Sequence, residues 1–345
     1  MLEKRREKTI FNYKCLVDIG RMPIFAAPEP PSLFTMLKSG VVFFIYTMTV
    51  NFDKSYTSPE SIIGILYERG LNIDDQSLAV DILRNVGYYR FSAYLYPFLT
   101  LPKERHLFKQ GSRFSGAWEL YRFDKKLRML LFNEIEKIEV ALRSTIANMV
   151  AEETGNIFWM TDLSLFANED KFRKTMALVD KELKSSKEDF IKHFKNKYSN
   201  DYPPAWMLVE ILPLGIVTRI YDNLADNALR KKIAARFLLP VPVFSSWITI
   251  ITLVRNTCCH HSRVWNKENA ITPMLLKKTP YRWISKQISP NRTFYDVCIL
   301  KWFIDIISPE NDMRGHLKNL LSDFPHVDIT AMGFPKKWEE EALWK

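Results

Sequence analysis

Residues 118–151 read WELYRFDKKLRMLLFNEIEKIEVALRSTIANMVA, a stretch with no glycine and no proline. Within it Leu127, Leu131, Ile135, Ile138, Leu142, Ile146 and Met149 recur at steps of four, four, three, four, four and three. That spacing lays one apolar stripe along a helix of 3.6 residues per turn and fits no strand. The stretch therefore sets the fold class, and the flanking sequence agrees with it.

Upstream, Ser58 followed by Pro59 and Glu60 is a helix start, with the serine as cap and the proline in the first turn. SIIGILYERG then stops at Gly70, and a second helix is expected over roughly 75–86. GYYRFSAYLYPFL (87–99) is expected to be an aromatic packing hub, so core packing is favoured over base stacking for Tyr88, Tyr89, Tyr94 and Tyr96. Downstream, 204–224 looks helical with a kink at Pro213. A further helix is expected to start at a Ser245–Ser246 cap and run through Trp247, Ile250, Ile251 and Val254, and two more occupy 295–308 and about 311–322. There is no internal repeat and little strand alternation, so the expected fold is all-α, a helical bundle preceded by an N-terminal helical region.

Domain organisation follows from the same reading. Residues 1–50 carry no sustained period around PEPPS (28–32) and stand as an N-terminal extension of doubtful status, or as translated sequence before a start at Met48. Residues 51–115 form the N-terminal helical region and 116–345 the main helical domain.

Among 345 residues the formal charge is +10, which points to a polyanionic partner. The four cysteines, Cys15, Cys258, Cys259 and Cys298, form no disulfide framework, so a reducing, cytoplasmic location is expected. No signal peptide is expected, and the most apolar run, VVFFIYTMTV (41–50), is half the ~20 residues of a membrane span. A membrane partner is therefore not expected.

The chemistry concentrates in RNTCCHHSRVWN (255–266). Zinc is one reading of Cys258, Cys259, His260 and His261, but adjacent ligands without a second Cys/His cluster do not match the usual spacing. A nucleophilic cysteine beside a histidine is a second, against which stands the ordinary use of small buried cysteines as packing. The third pairs Arg255, with Asn256 after it, and His260. A guanidinium fork suits phosphate oxygens, and an imidazole takes and returns protons near neutrality. Together these suffice to cleave RNA without metal or cofactor.

On a regular helix Arg255 and His260 would stand about 140° apart, so the helix must end or deform between them, or a second subunit must complete the site. By the same reckoning one of His260 and His261 faces inward. Residues 255–301 hold nine Lys/Arg against only Glu268 and Asp296. The expected RNA contacts are Arg263, Lys267, Lys277, Lys278 and Arg282. Glu139 and Arg143, four apart, read as an ion pair, with Arg143 kept as a minor phosphate contact.

Over residues 54–345 the chain resembles the AbiD/AbiF-type abortive-infection proteins of bacteria. The matching pieces, in order, are YTSPE (56–60), GYYRFSAYLYPF (87–98), YRFDKKLR with IEVALRS (138–144), PPAWMLVEILPLG (203–215), VRNTCCHHSRVWN (254–266) and GFPKKWEEEALW (333–344). That family is counted among the HEPN ribonucleases, whose signature is an arginine, a polar residue and a histidine four to six residues after the arginine. The resemblance implies Arg255, Asn256 and His260 as catalytic residues, His261 as the second histidine of a doublet, and a homodimer. Two positions depart from the pattern: Pro213–Leu214 replaces a small polar residue and phenylalanine, and Cys259 replaces an alanine. The implied function is a metal-independent endoribonuclease acting in phage defence. The alternative is a non-catalytic RNA-binding or RNA-regulated module of a phage-defence or toxin–antitoxin system.

Overall fold

The structure, a computed structural model, describes residues 55–345 except 278 and 280. The expected N-terminal extension, the possible start at Met48 and Lys278 lie outside the described residues. Twelve α-helices and no strand occur among the described residues: α1 (Pro59–Glu68), α2 (Gln76–Val86), α3 (Tyr88–Leu95), α4 (Phe114–Thr154), α5 (Glu169–Ser185), α6 (Asp189–Lys197), α7 (Ala205–Ile211), α8 (Leu214–Asp222), α9 (Asn227–Arg236), α10 (Val241–Cys259), α11 (Thr293–Ile307) and α12 (Met313–Asp323). The fold is all-α. The chain divides into two compact units between Trp118 and Glu119, inside α4.

In the first unit Ser58 caps α1 by accepting from the Ser61 N–H at 3.2 Å. The helix closes with Gly70 at φ 91°, where Leu71 N–H reaches the Leu66 carbonyl at 3.1 Å and Gly70 N–H the Tyr67 carbonyl at 2.9 Å. This is the paired closure that a left-handed residue permits. Phe91, Tyr94 and Leu95 of α3 are buried and Phe91 stacks on Phe114 with centroids 4.8 Å apart. The aromatic hub is incomplete at two expected places, because Tyr89 is 79% and Tyr96 43% exposed.

In the second unit Leu127, Leu131, Ile135, Ile138, Leu142 and Ile146 of α4 are buried. The stripe then moves by one: Val150 is buried and Met149 is half-exposed. The buried positions continue at i+4 from Leu142 through Ile146 to Val150, so the stripe drifts slowly around the helix. The apolar α10 lies against α8, α9 and α11. Around it Tyr221, Phe237, Phe244 and Phe303 form one aromatic cluster and Trp247, Trp283 and Trp302 another. The buried indoles keep partners, with Trp247 Nε1 donating to the Met274 carbonyl at 3.0 Å and Trp302 Nε1 to that of Phe237 at 3.0 Å. No single described helix is long and apolar enough to cross a membrane.

Two expectations need correction. α10 starts at Val241 after Pro240, not at Ser245–Ser246, because Pro242 fits the first turn, where no intrahelical N–H is needed. Ser246 instead accepts from the Met274 N–H at 2.8 Å. Pro213 does not kink one helix; it separates α7 from α8 and becomes the cap residue of α8.

Candidate functional site

α10 ends where its chemistry begins. Cys259 is its last residue, His260 is the cap, and His261 takes the left-handed conformation at φ 56°. His261 N–H donates to the Cys258 carbonyl at 3.0 Å and Ser262 N–H to the Thr257 carbonyl at 2.9 Å, the same closure that Gly70 gives α1. A side chain at this handedness costs about 1–2 kcal/mol that glycine avoids. His260 N–H still donates to the Asn256 carbonyl at 3.0 Å, so its side chain leaves the last turn about 140° from that of Arg255, and the chain departs from the helix only at His261. His260 and His261 are both exposed, so the expectation that one faces inward fails, the chain turning out of the helix at His261.

The chain leaving this turn is fixed to α4. Asp124, 0% exposed, accepts from the Val264 N–H at 3.0 Å and the Trp265 N–H at 2.6 Å through Oδ1. Its Oδ2 pairs with Arg128, also buried, whose Nη1 lies 3.4 Å from the Ser262 carbonyl. Thr293 of α11 donates to the Val264 carbonyl at 2.9 Å. One buried carboxylate thus satisfies two backbone donors and a guanidinium, and sets where residues 262–265 can lie.

Arg255 is positioned by a second carboxylate of α4. Its Nε donates to Glu139 Oε2 at 3.2 Å, its side chain is 29% exposed, and Nη1 stands 3.5 Å from Asn256 Oδ1. Asn256 itself is exposed. Glu139 is shared, because its other oxygen pairs with Arg143. Arg143 in turn donates to the Val209 carbonyl, which accepts from the Leu212 N–H at 3.3 Å and would ordinarily accept from residue 213. Residue 213 is proline and has no N–H. The guanidinium of Arg143, expected as a minor phosphate contact, is thus buried and engaged with internal partners. Two guanidiniums around one carboxylate leave a net positive charge, with Arg255 on the outer side.

A model of the Abi-like protein family matches residues 81–266, more than half of the chain. The chain belongs to this family. Membership supports a role of this Abi-like protein in abortive infection, a form of phage defence. The family match contains Asp124, Arg128, Glu139, Arg143, Arg255, Asn256, His260 and His261 and stops before Lys267. Neither a curated protein nor a solved structure matches the Abi-like chain.

The expected basic contacts of the Abi-like protein fall in different places. Arg263 is half-buried just past the turn, and Lys267 Nζ reaches back to Thr257 Oγ1 at 3.2 Å, which keeps it beside the last turn of α10. Lys277 is exposed, while Arg282 lines a separate cavity of about 350 Å³ with Tyr281 and Trp302. Burial pushes the Cys258 thiol up to about 12, so it carries no thiolate at neutral pH. Among the described residues no three His, Cys, Asp or Glu side chains gather as metal ligands.

Sequence reasoning missed Asp124 and Arg128, whose one visible signal is an oppositely charged pair four apart beside the buried Leu127 and Leu131. It also gave no role to Asp296 of α11. Burial pushes the Asp296 carboxyl up to about 7, against the Asn269 hydrogen bond and the Lys267 charge, which favour ionisation. An aspartate in the unfolded chain titrates near 3.9. The folded state therefore binds more protons between about pH 4 and pH 7, and stability from this group is lost as pH rises through that window. Asp296→Asn, which imitates the protonated acid, is expected to raise the thermal midpoint at pH 8 and leave it near wild type at about pH 4. Thermal unfolding at both values checks this, and a lower midpoint for the variant at pH 8 would contradict it.

Proposed function

We propose that this Abi-like protein is a metal-independent endoribonuclease of the HEPN type, with His260 and Arg255 as its catalytic pair. The observation that carries the reading is the end of α10. It exposes His260 at the helix cap, five residues beyond an arginine whose Nε is already held by Glu139, leaving terminal N–H groups for a phosphate beside the one directed at Asn256.

In the proposed reaction the His260 imidazole takes the proton of a ribose 2′-OH, and that oxygen attacks the adjacent phosphorus. Arg255 stabilises the charge that grows on the non-bridging oxygens. The bond from phosphorus to O5′ breaks, and the leaving oxygen takes a proton from an imidazolium. The products are a 2′,3′-cyclic phosphate and a 5′-hydroxyl. Asn256 and His261 flank the pair, and Arg263, Lys267 and Lys277 supply positive charge along the strand.

A second copy of the chain completes this proposed site. Met129, Phe132 and Val140 are exposed on α4, and their spacing of three and eight keeps them within about 80° of one face. Such an apolar face suits pairing between copies.

Incubation of the purified protein with end-labelled single-stranded RNA in excess EDTA is expected to give cyclic phosphate ends. A strict requirement for divalent metal, or 3′-hydroxyl with 5′-phosphate ends, would overturn the mechanism. Salt-sensitive RNA binding without any cleavage would favour the non-catalytic reading instead.

A further inference from the structure

Residues 255–301 hold two acidic side chains among nine basic ones, and both acids, Glu268 and Asp296, line a single cavity. The cavity measures about 220 Å³ and lies against the last two turns of α10, with Thr257 and Lys267 on its wall. Ile250, Leu253 and Ile271 give it an apolar bed. Asp296 is almost fully buried, and both its oxygens receive the same Asn269 Nδ2, at 2.9 and 2.7 Å. Each carboxylate oxygen has two acceptor sites, so capacity remains for further donors.

The charge balance selects the occupant. With two acids facing one ammonium the cavity offers phosphate no net positive charge, although the surrounding surface attracts it. A flat, neutral group with N–H donors meets both conditions, and the volume, below the ~300 Å³ at which drug-sized pockets begin, suits a single nucleobase. Among the four RNA bases only guanine presents two adjacent donors, N1–H and the N2 amino group, on its pairing edge, which matches a carboxylate in bidentate fashion. Adenine and cytosine set an acceptor beside their amino group, and uracil flanks its one N–H with two carbonyls.

We propose that this cavity binds a guanine base of the RNA strand, with Asp296 accepting from N1–H and the N2 amino group, and so gives the Abi-like protein a base preference near the cut. The inference rests on the nuclease reading for its biological use, but not for its test. An N–H pair from guanine would also supply what the buried carboxyl lacks, since donors to the ionised form offset its loss of water.

The test uses fluorescein-labelled 2′-fluoro hexanucleotides, which lack the attacking hydroxyl and cannot be cut. Anisotropy is expected to show UUGUUU binding about tenfold more tightly than UUAUUU, with the inosine version between them. Asp296→Asn should remove the preference, and the inosine arm needs no variant at all. Equal affinity for the guanine and adenine strands in the wild type, or a preference that survives Asp296→Asn, would overturn the proposal. His260→Ala should keep the preference, so failure of cleavage and failure of the pocket are separate results. Displacement by GMP at concentrations matching the guanine strand would identify a free guanine nucleotide as the occupant; displacement by guanine-containing strands alone would identify the substrate's own base.

Discussion

His260→Ala is expected to lower RNA cleavage by about 10²- to 10⁴-fold, the range that one general acid–base group commonly supplies. Stability should move by no more than about 0.5 kcal/mol, as for other surface substitutions. The two effects separate because the ring is exposed, while the helix end is closed by the backbone N–H groups of His261 and Ser262. Single-turnover cleavage beside urea unfolding of the same preparations measures both. Undiminished cleavage by the alanine variant would remove His260 from the mechanism. Loss of cleavage together with loss of folding would show that the ring is structural.

The largest effect on stability is expected at Asp124. Removing one partner of a buried ion pair costs about 3–5 kcal/mol, and here Val264 and Trp265 also lose the acceptor of their N–H groups. With domain stabilities of about 5–15 kcal/mol, Asp124→Ala should bring the urea midpoint down by a large fraction or prevent folding altogether. The double variant Asp124→Leu with Arg128→Met separates the components. Replacing a simple buried pair by apolar residues is often neutral or stabilising. Here two backbone donors would remain unpaired at about 1–3 kcal/mol each, so the double variant should still be clearly destabilised. A double variant as stable as the wild type would show that the 262–265 segment is not held by the carboxylate.

How much of this was legible in the sequence depends on how local each cause is. The α4 stripe and the start and stop of α1 were readable because period, cap and glycine are properties of neighbouring residues. The start of α10 was misplaced because two serines were given more weight than Pro240 and Pro242, which a first turn accepts. The break at Pro213 was read as a kink; the sequence marks the proline but not the side chain that compensates for it. That compensation comes from Arg143, which reaches the Val209 carbonyl from sixty-six positions away along the chain. Arg255 and His260 were recognisable by residue type and spacing. Asp124 and Asp296 were given no role, and Glu139 was paired with Arg143 but not with Arg255, because a carboxylate's part depends on which donors the fold brings to it.

The turn at His261 has one more implication. Most helices closed in this way spend a glycine there and gain nothing but a clean stop. This one keeps an imidazole at a handedness that glycine would occupy without penalty, so the last turn is less settled than its hydrogen bonds alone suggest. A ligand that draws the 260–262 backbone toward it would relieve that strain as it binds, and part of its affinity would come from the protein's own relaxation.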